Sequence, residues 1–260
     1  MLVAYPKSLF SKHVDEGFLE EYLLIKEIFP TCMVDFQKIE QGETVSLPKS
    51  EEILYRGWML SSSSYETLER SALLSQSRLM VSHQDYLASH HINNWYPMLE
   101  PYTARTVFGE EDNLPLIPFD RCFVKDYVKS GPLSLCDKKD VKKAIHAIKH
   151  YRGFVEGGVA IREQEEYTGE EYRLFVINQK LFVPTTGAIP MKAQELAEEI
   201  SPLLASPFYS IDVKRRKDGV WRMIEVGDGQ VSDLKHWSMV DFAHMMKEGF
   251  TQPSPSPSWR

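Results

Sequence analysis

Residues Ile211 to Gly229 constrain this chain more than any other stretch. Ile211-Asp212-Val213 and Trp221-Arg222-Met223-Ile224-Glu225-Val226 are β-type runs, separated by the charged segment Arg215-Arg216-Lys217-Asp218-Gly219. Its closing Asp-Gly pair is a strong hairpin signal. Asp212 sits in an apolar frame, Glu225 lies between Ile224 and Val226, and Asp228 follows between Gly227 and Gly229. Folding the hairpin is expected to bring these three acidic oxygen donors to one end of a sheet, a set that suits Mg²⁺ carrying nucleotide phosphates. The competing reading is a surface hairpin with solvated charges. The apolar neighbours of Asp212 and Glu225 favour the metal role.

The chain has 260 residues, enough to bury a sizeable core as one large domain or two lobes. A net charge of -7 and a pI near 5.7 argue against a general nucleic-acid or anionic-membrane binder, while leaving room for a local basic cleft. Cys32, Cys122 and Cys136 lack metal-ligand spacing, and an odd count without a framework fits a reducing compartment. Met1 to Tyr5 is too short an apolar run for a secretory signal. No stretch approaches the roughly 18 apolar residues of a membrane span. The expectation is a soluble, cytoplasmic protein with no membrane partner.

The first lobe, residues 1–115, alternates strand-like and helix-like patterns, as an α/β unit does. Phe18 to Phe29 has helical spacing, and Thr31 to Phe36, Ile53 to Leu60 and Leu79 to Val81 read as strands. Ser61 to Ser64 offers an N-cap to a helix near Tyr65. His83 to Tyr96 is expected to be helical until Pro97 ends it. Glu110 to Pro118 reads as a linker. Residues 116–250 then carry strands at Arg121 to Val128, Gly158 to Glu165, Glu171 to Ile177 and Leu181 to Pro184, and helices at Lys138 to Tyr151, Met191 to Leu204 and Leu234 to Phe250. The Pro/Ser-rich tail 251–260 is expected to be disordered.

Phe123-Val124-Lys125-Asp126-Tyr127-Val128-Lys129-Ser130 places two lysines four apart at a strand end. Even spacing in a strand puts both on one face, where a polyphosphate would relieve their repulsion; the alternative is a solvated edge strand whose lysines block aggregation. Gly157-Gly158-Val159-Ala160-Ile161-Arg162-Glu163-Gln164-Glu165 ends a strand in polar residues, a segment able to pair its backbone with an adenine edge. In Glu171-Tyr172-Arg173-Leu174-Phe175-Val176, Glu171 and Arg173 alternate with apolar residues, which also describes a half-exposed sheet. Among other candidates, Lys125-Asp126 does not complete a K-x-D-G nucleotidyltransferase motif. His83, His90 and His91 read as surface histidines rather than metal ligands, since adjacent His90 and His91 do not share a helix face. Trp58, Trp95, Trp221 and Trp237 read as packing residues.

The order of these pieces, a lysine-bearing strand, a helix, a hinge strand, an E-x-R strand and a D…E-x-x-D hairpin, resembles the ATP-grasp superfamily. The segments FVKDYVKS, GGVAIRE, EEYRLFV and IDVKRRKDGVWRMIEVGDGQVSDL are closest to the clade named for an arginine-to-lysine exchange, and YRGWML at Tyr55 to Leu60 resembles that clade's preceding lobe. The likeness covers roughly Pro118 to Leu234. It implies an α+β, ATP-grasp fold: two α+β subdomains gripping ATP, preceded by a small α/β N-terminal lobe. By this match Lys125 and Lys129 would neutralise ATP phosphates, and Glu163, Gln164 and Glu165 would form the adenine hinge. Glu171 would lie toward the ribose, and Asp212, Glu225 and Asp228 would hold Mg²⁺. Arg162 and Arg173 would bind the γ-phosphate or an acyl phosphate, for which planar guanidinium groups are suited. The superfamily's usual ending is E-x-N; here Gly227 stands at the Asn position and Asp228 comes one later. Either Asp228 substitutes through a register shift, or one metal site is lost.

The function this implies is an ATP- and Mg²⁺-dependent carboxylate–amine ligase, with Lys129, Arg162 and Arg173 as catalytic candidates and Arg56 and Arg105 as candidates for substrate contact. Its partners would be small-molecule or peptide carboxylates and amines. The alternative is a non-catalytic ATP-binding module that assembles or regulates a protein partner. A third reading is transfer of phosphate or nucleotide to a protein or RNA.

Overall fold

The computed structural model describes residues 1–185 and 187–251. The expected disordered tail lies outside the described residues from 252 onward, while Thr251 ends a helix.

The N-terminal lobe is a parallel sheet of order β2-β1-β3-β4, from β1 (Leu2–Pro6), β2 (Thr31–Val34), β3 (Glu52–Tyr55) and β4 (Arg78–Leu79). The apolar run at the N-terminus is thus a central strand, buried along its whole length, as strands covered on both faces are. Helices α1 (Leu19–Ile25), α2 (Phe36–Glu40) and α3 (Ser62–Leu74) connect the strands. Ser61 alone caps α3, its hydroxyl accepting from the Ser64 amide at 3.2 Å, so the other serines form the first turn.

The expected single helix over residues 83–96 is two: α4 (His83–His90) and α5 (Ile92–Leu99). The break falls at His91, which is extended (φ -96°, ψ 121°), and not at Pro97, which lies inside α5. The Ile92 amide is drawn off to the Tyr127 carbonyl at 2.9 Å, so the chain turns before the proline can act.

Two antiparallel sheets follow. The first, of order β5-β8-β6-β7, contains β5 (Thr106–Gly109), β6 (Arg121–Asp126), β7 (Ser130–Asp137) and β8 (Val159–Glu163). Helix α6 (Val141–Arg152) covers one face, burying Val141, Ala144, Ile145 and Ile148 against Cys122, Val124, Val159 and Ile161. The second, of order β10-β9-β11-β12, contains β9 (Tyr167–Ile177), β10 (Lys180–Phe182), β11 (Phe208–Arg216) and β12 (Trp221–Asp228). Helix α7 (Met191–Ile200) packs Ala193, Ala197 and Ile200 with Leu174, Val176, Ile211 and Val213. The last helix, α8 (Met239–Thr251), starts later than expected, because residues 234–237 form a turn closed by the Trp237 amide on the Leu234 carbonyl. Its Phe242 and Met246 join Phe175, Ile177 and Phe208 in the core of the N-terminal lobe. That shared core anchors the lobe to the second sheet.

Candidate functional site

The hairpin β11–β12 forms as its turn chemistry requires. Gly219 adopts φ 92°, a left-handed conformation open to glycine, and its amide reaches the Arg216 carbonyl at 2.9 Å. Asp212 and Glu225 are register partners across the two strands. One step on, Val213 pairs with Met223, so Ile224 is a bulged residue. Its carbonyl is free of the ladder and accepts from Arg162 Nη1 of β8 at 2.8 Å. The bulge therefore docks the first sheet onto β12.

A second tie across the same seam joins Lys125 of β6 to Glu225 of β12 through an ion pair. Lys125 is 4 % exposed. Burial works against the Glu225 charge, yet the Lys125 ammonium, with Lys129 and Arg162 behind it, holds the carboxyl down to about 2. The expectation that Lys125 and Lys129 share a strand face is corrected: β6 ends at Asp126, and Lys129 lies in the turn to β7. That turn is built on Asp126, fully buried, whose Oδ1 accepts from the Val128 and Lys129 amides at 2.8 and 2.6 Å. Arg152 from the end of α6 neutralises it. The turn, rather than strand alternation, brings the Lys129 side chain into the site, and among the described residues its ammonium has no ion-pair or hydrogen-bond partner.

On the second sheet Arg173 of β9 sits opposite Asp212 in the ladder and binds it bidentately, at 2.8 and 2.7 Å. Asp233 takes a third guanidinium nitrogen at 2.6 Å. Lys235 reaches Asp212 at 2.8 Å and also pairs with Glu171. Desolvation opposes the charges of Arg173 and Lys235, but Asp212 outweighs it and raises both pKa values. Asp212 and Glu225 thus stand among Lys125, Lys129, Arg173 and Lys235 along one stretch of seam. Mg²⁺ is commonly held by one or two carboxylates together with phosphate oxygens, so Asp212 and Glu225 are a donor set that fits it.

Asp228 does not join them. Three residues along a strand reverse the face, and the Asp228 carboxylate accepts from Ser89 of α4 at 3.3 Å and from the Gln230 amide and Nε2 at 3.0 and 3.1 Å. Among the described residues no three His, Cys, Asp or Glu side chains are grouped to hold a metal.

The seam opens into a cavity of about 550 Å³ beneath the N-terminal lobe, lined by Phe18, Trp58, His90, Lys129, Arg173 and Glu225 among others. Trp58, expected to be a packing residue, is 47 % exposed there and rests edge-on against Phe18 at 4.9 Å. His90 and His91, expected at the surface, are buried. Arg56 lines the cavity but is only 2 % exposed. It forms a buried pair with Glu21 at 2.9 Å and donates to the Gln230 and Ser232 carbonyls at 2.9 and 2.8 Å, which clamps the lobe to the loop after β12.

The remaining expected residues lie away from this cavity. Arg162 is buried in the seam and also donates to Thr103 at 2.5 Å. Glu163 pairs with the exposed Arg105 at 2.7 Å, Gln164 accepts from Arg121 at 3.2 Å, and Glu165 is held by Arg216 and Arg222 at 2.9 and 3.2 Å. Arg105 therefore stands beside the expected hinge segment. Glu171 borders a separate cavity with Lys235 and His236. Asp126, Trp58 and His90 help to form the site with no signal in the sequence beyond the acid at the strand end before Tyr-Val-Lys-Ser.

The sequence matches a family model for an ATP-grasp domain, family 3 of the clade named for the arginine-to-lysine exchange, over residues 83–248, and the chain belongs to that family. No curated protein matches it. Among solved structures, D-cycloserine synthetase DcsG is similar at 12 % identity and a TM-score of 0.66, covering 95 % of this chain and 98 % of the other. An ATP-grasp RimK domain protein from Sphaerobacter thermophilus is similar at 18 % identity and 0.64, with 95 % and 98 % coverage. D-alanyl-alanine synthetase A from Vibrio cholerae is similar at 11 % identity and 0.57, with 96 % and 98 % coverage. These likenesses establish the ATP-grasp fold.

Proposed function

We propose that this ATP-grasp family member is an ATP- and Mg²⁺-dependent carboxylate–amine ligase, acting in the cytoplasm on small-molecule or peptide substrates. A substrate carboxylate oxygen attacks the γ-phosphorus and ADP leaves. The amine nitrogen then attacks the acyl carbon, phosphate departs with the bonding pair, and the amine gives up a proton. Catalysis of this kind rests on positioning and charge neutralisation.

The observation that carries the reading is the Lys125–Glu225 pair joining the two sheets beside the uncommitted Lys129. Lys125 and Lys129 supply the charge a polyphosphate needs. Asp212 and Glu225 would hold Mg²⁺, which would neutralise phosphate oxygens during phosphoryl transfer. Arg173 lines the cavity and is suited to the γ-phosphate or the acyl phosphate, whereas Arg162 positions β12 through the Ile224 carbonyl. Glu163, Gln164 and Glu165 remain the adenine hinge of this reading, and Glu171 its ribose contact. Structures of the ATP-grasp ligase PsnB, one of them with a minimal precursor, Mg and ADP, share the fold and support the choice of cofactors.

A second reading, a non-catalytic ATP-binding module that serves a protein partner, draws on Asp228 facing away from Glu225. Incubation with ATP, Mg²⁺ and pools of carboxylates and amines separates the two. The ligase releases ADP and phosphate only when both pools are present; bound ATP without release under every combination supports the module.

A further inference from the structure

A second cavity, of about 340 Å³, adjoins the main one, and Met59, His90 and Val128 form part of the wall of both. It lies between the N-terminal lobe, which supplies Glu40 and residues 59–61, and the first antiparallel sheet's subdomain, which supplies Arg152 and Glu156. The volume suits a group the size of an amino acid.

Its charge is opposite to that of the seam. Arg152 is spent on the buried Asp126. Glu156 accepts from the Ser62 amide at 3.3 Å and otherwise faces His91 at 3.9 Å, whose imidazole burial keeps neutral by lowering its pKa. Glu40 is exposed and has no cation against it among the described residues, and partial desolvation raises its carboxyl pKa. Two carboxylates therefore face the space without a lysine or arginine of their own.

Between the cavities stands His90, 9 % exposed, stacked on Tyr86 at 4.7 Å, with a buried Nε2 that has no hydrogen-bond partner. A buried polar nitrogen without a partner is unfavourable, so a ligand that donates to it is favoured. Burial, with His91 and Lys129, holds its pKa well below the usual histidine value. The ring is neutral and can accept.

We propose that this smaller cavity is the amine-acceptor subsite: Glu40 and Glu156 recognise a primary ammonium group, and His90 accepts a hydrogen bond from it at the boundary with the phosphate-binding cleft. The inference rests on the ligase reading and assigns its second substrate a class, a cationic primary amine. An α-ammonium and a lysine ε-ammonium share this chemistry.

Calorimetric titration with alanine amide and with Nα-acetyl-lysine amide distinguishes the two sources, and Nα-acetyl-norleucine amide is the neutral control. The full chain is titrated in the presence of ATP and Mg²⁺, alongside Glu40→Gln and Glu156→Gln. The expected result is binding of at least one cationic probe and no binding of the control. Affinity should fall at least tenfold in Glu156→Gln and severalfold in Glu40→Gln, whose exposed site leaves the fold undisturbed. Failure of the wild type to bind either cationic probe, equal binding of the neutral probe, or unchanged affinity in both glutamine variants overturns the subsite. A thermal shift with ATP and Mg²⁺ run beside it reports on the ligase reading separately: an intact ATP response with any of those results rejects the subsite alone.

Discussion

On one face of the β11–β12 hairpin Glu225 meets Lys125, and Asp212 meets Arg173 and Lys235; on the other, Asp228 accepts hydrogen bonds from Ser89 and Gln230 and, among the described residues, forms no ion pair. All three are carboxylates within one ladder. Where cations stand opposite, Glu225 is held down to about 2. Burial pushes Asp228 up to about 7, against the hydrogen bonds from Gln230 and Ser89. The difference is one of facing partners, not residue type. It divides the hairpin into a side that, on the proposed reading, takes metal and phosphate and a side that ties β12 to α4.

The largest effect is expected for Asp212→Ala. It leaves Arg173 buried without its main counter-charge and takes one partner from Lys235, and removing one member of a buried pair costs roughly 3–5 kcal/mol. Urea denaturation should register most of that loss; a change within error would mean the cationic face is not coupled as described.

Asp228→Asn should act in the opposite direction. A carboxyl whose pKa rises from 3.8 to about 7 on folding binds more protons folded than unfolded between those values, so stability falls as pH rises through that window. The amide removes this penalty. It should stabilise the protein by on the order of 1–3 kcal/mol above pH 7 and do nothing near pH 3. Equal unfolding midpoints for variant and wild type at pH 8 would put Asp228 in a different charge state.

The smallest effect is expected for Glu225→Gln, because the amide oxygen can still accept from the buried Lys125 ammonium. The folded pKa of about 2 lies below the ordinary 4.5, so the Lys125 pair contributes stability above pH 4.5 that is lost as pH falls toward 2. The side chain is 36 % exposed, which lets solvent screen the gain. Unfolding curves from pH 5 to pH 2 should show a shallower decline in the variant.

Much of this is legible in the sequence because it is local. Asp-Gly at 218–219 marks the hairpin, the apolar flanks of Asp212 and Glu225 mark carboxylates held in place, and the order of segments indicates the ATP-grasp fold. What depends on a one-residue offset is not legible. Nothing in Glu-Val-Gly-Asp announces that Asp228 turns to Ser89, nor that Ile224 is the bulge that receives Arg162. The Lys125–Lys129 spacing reads as a strand because the Asp126 turn draws on Arg152, distant in the chain. β7 escapes notice for a related reason: Ser130-Gly131-Pro132 looks like a loop, and only pairing with β6 and α6 packed on its face make it a strand. His90 and Trp58 owe their roles to the neighbours that form the cavity walls.

On the proposed reading a nucleotide binds where Lys125 and Glu225 join the two sheets. Thermal shift with ATP and Mg²⁺ on the wild type, Lys125→Ala and Glu225→Ala tests it most directly. Nucleotide should raise the unfolding temperature of the wild type and of neither variant. An equal rise in all three would contradict it.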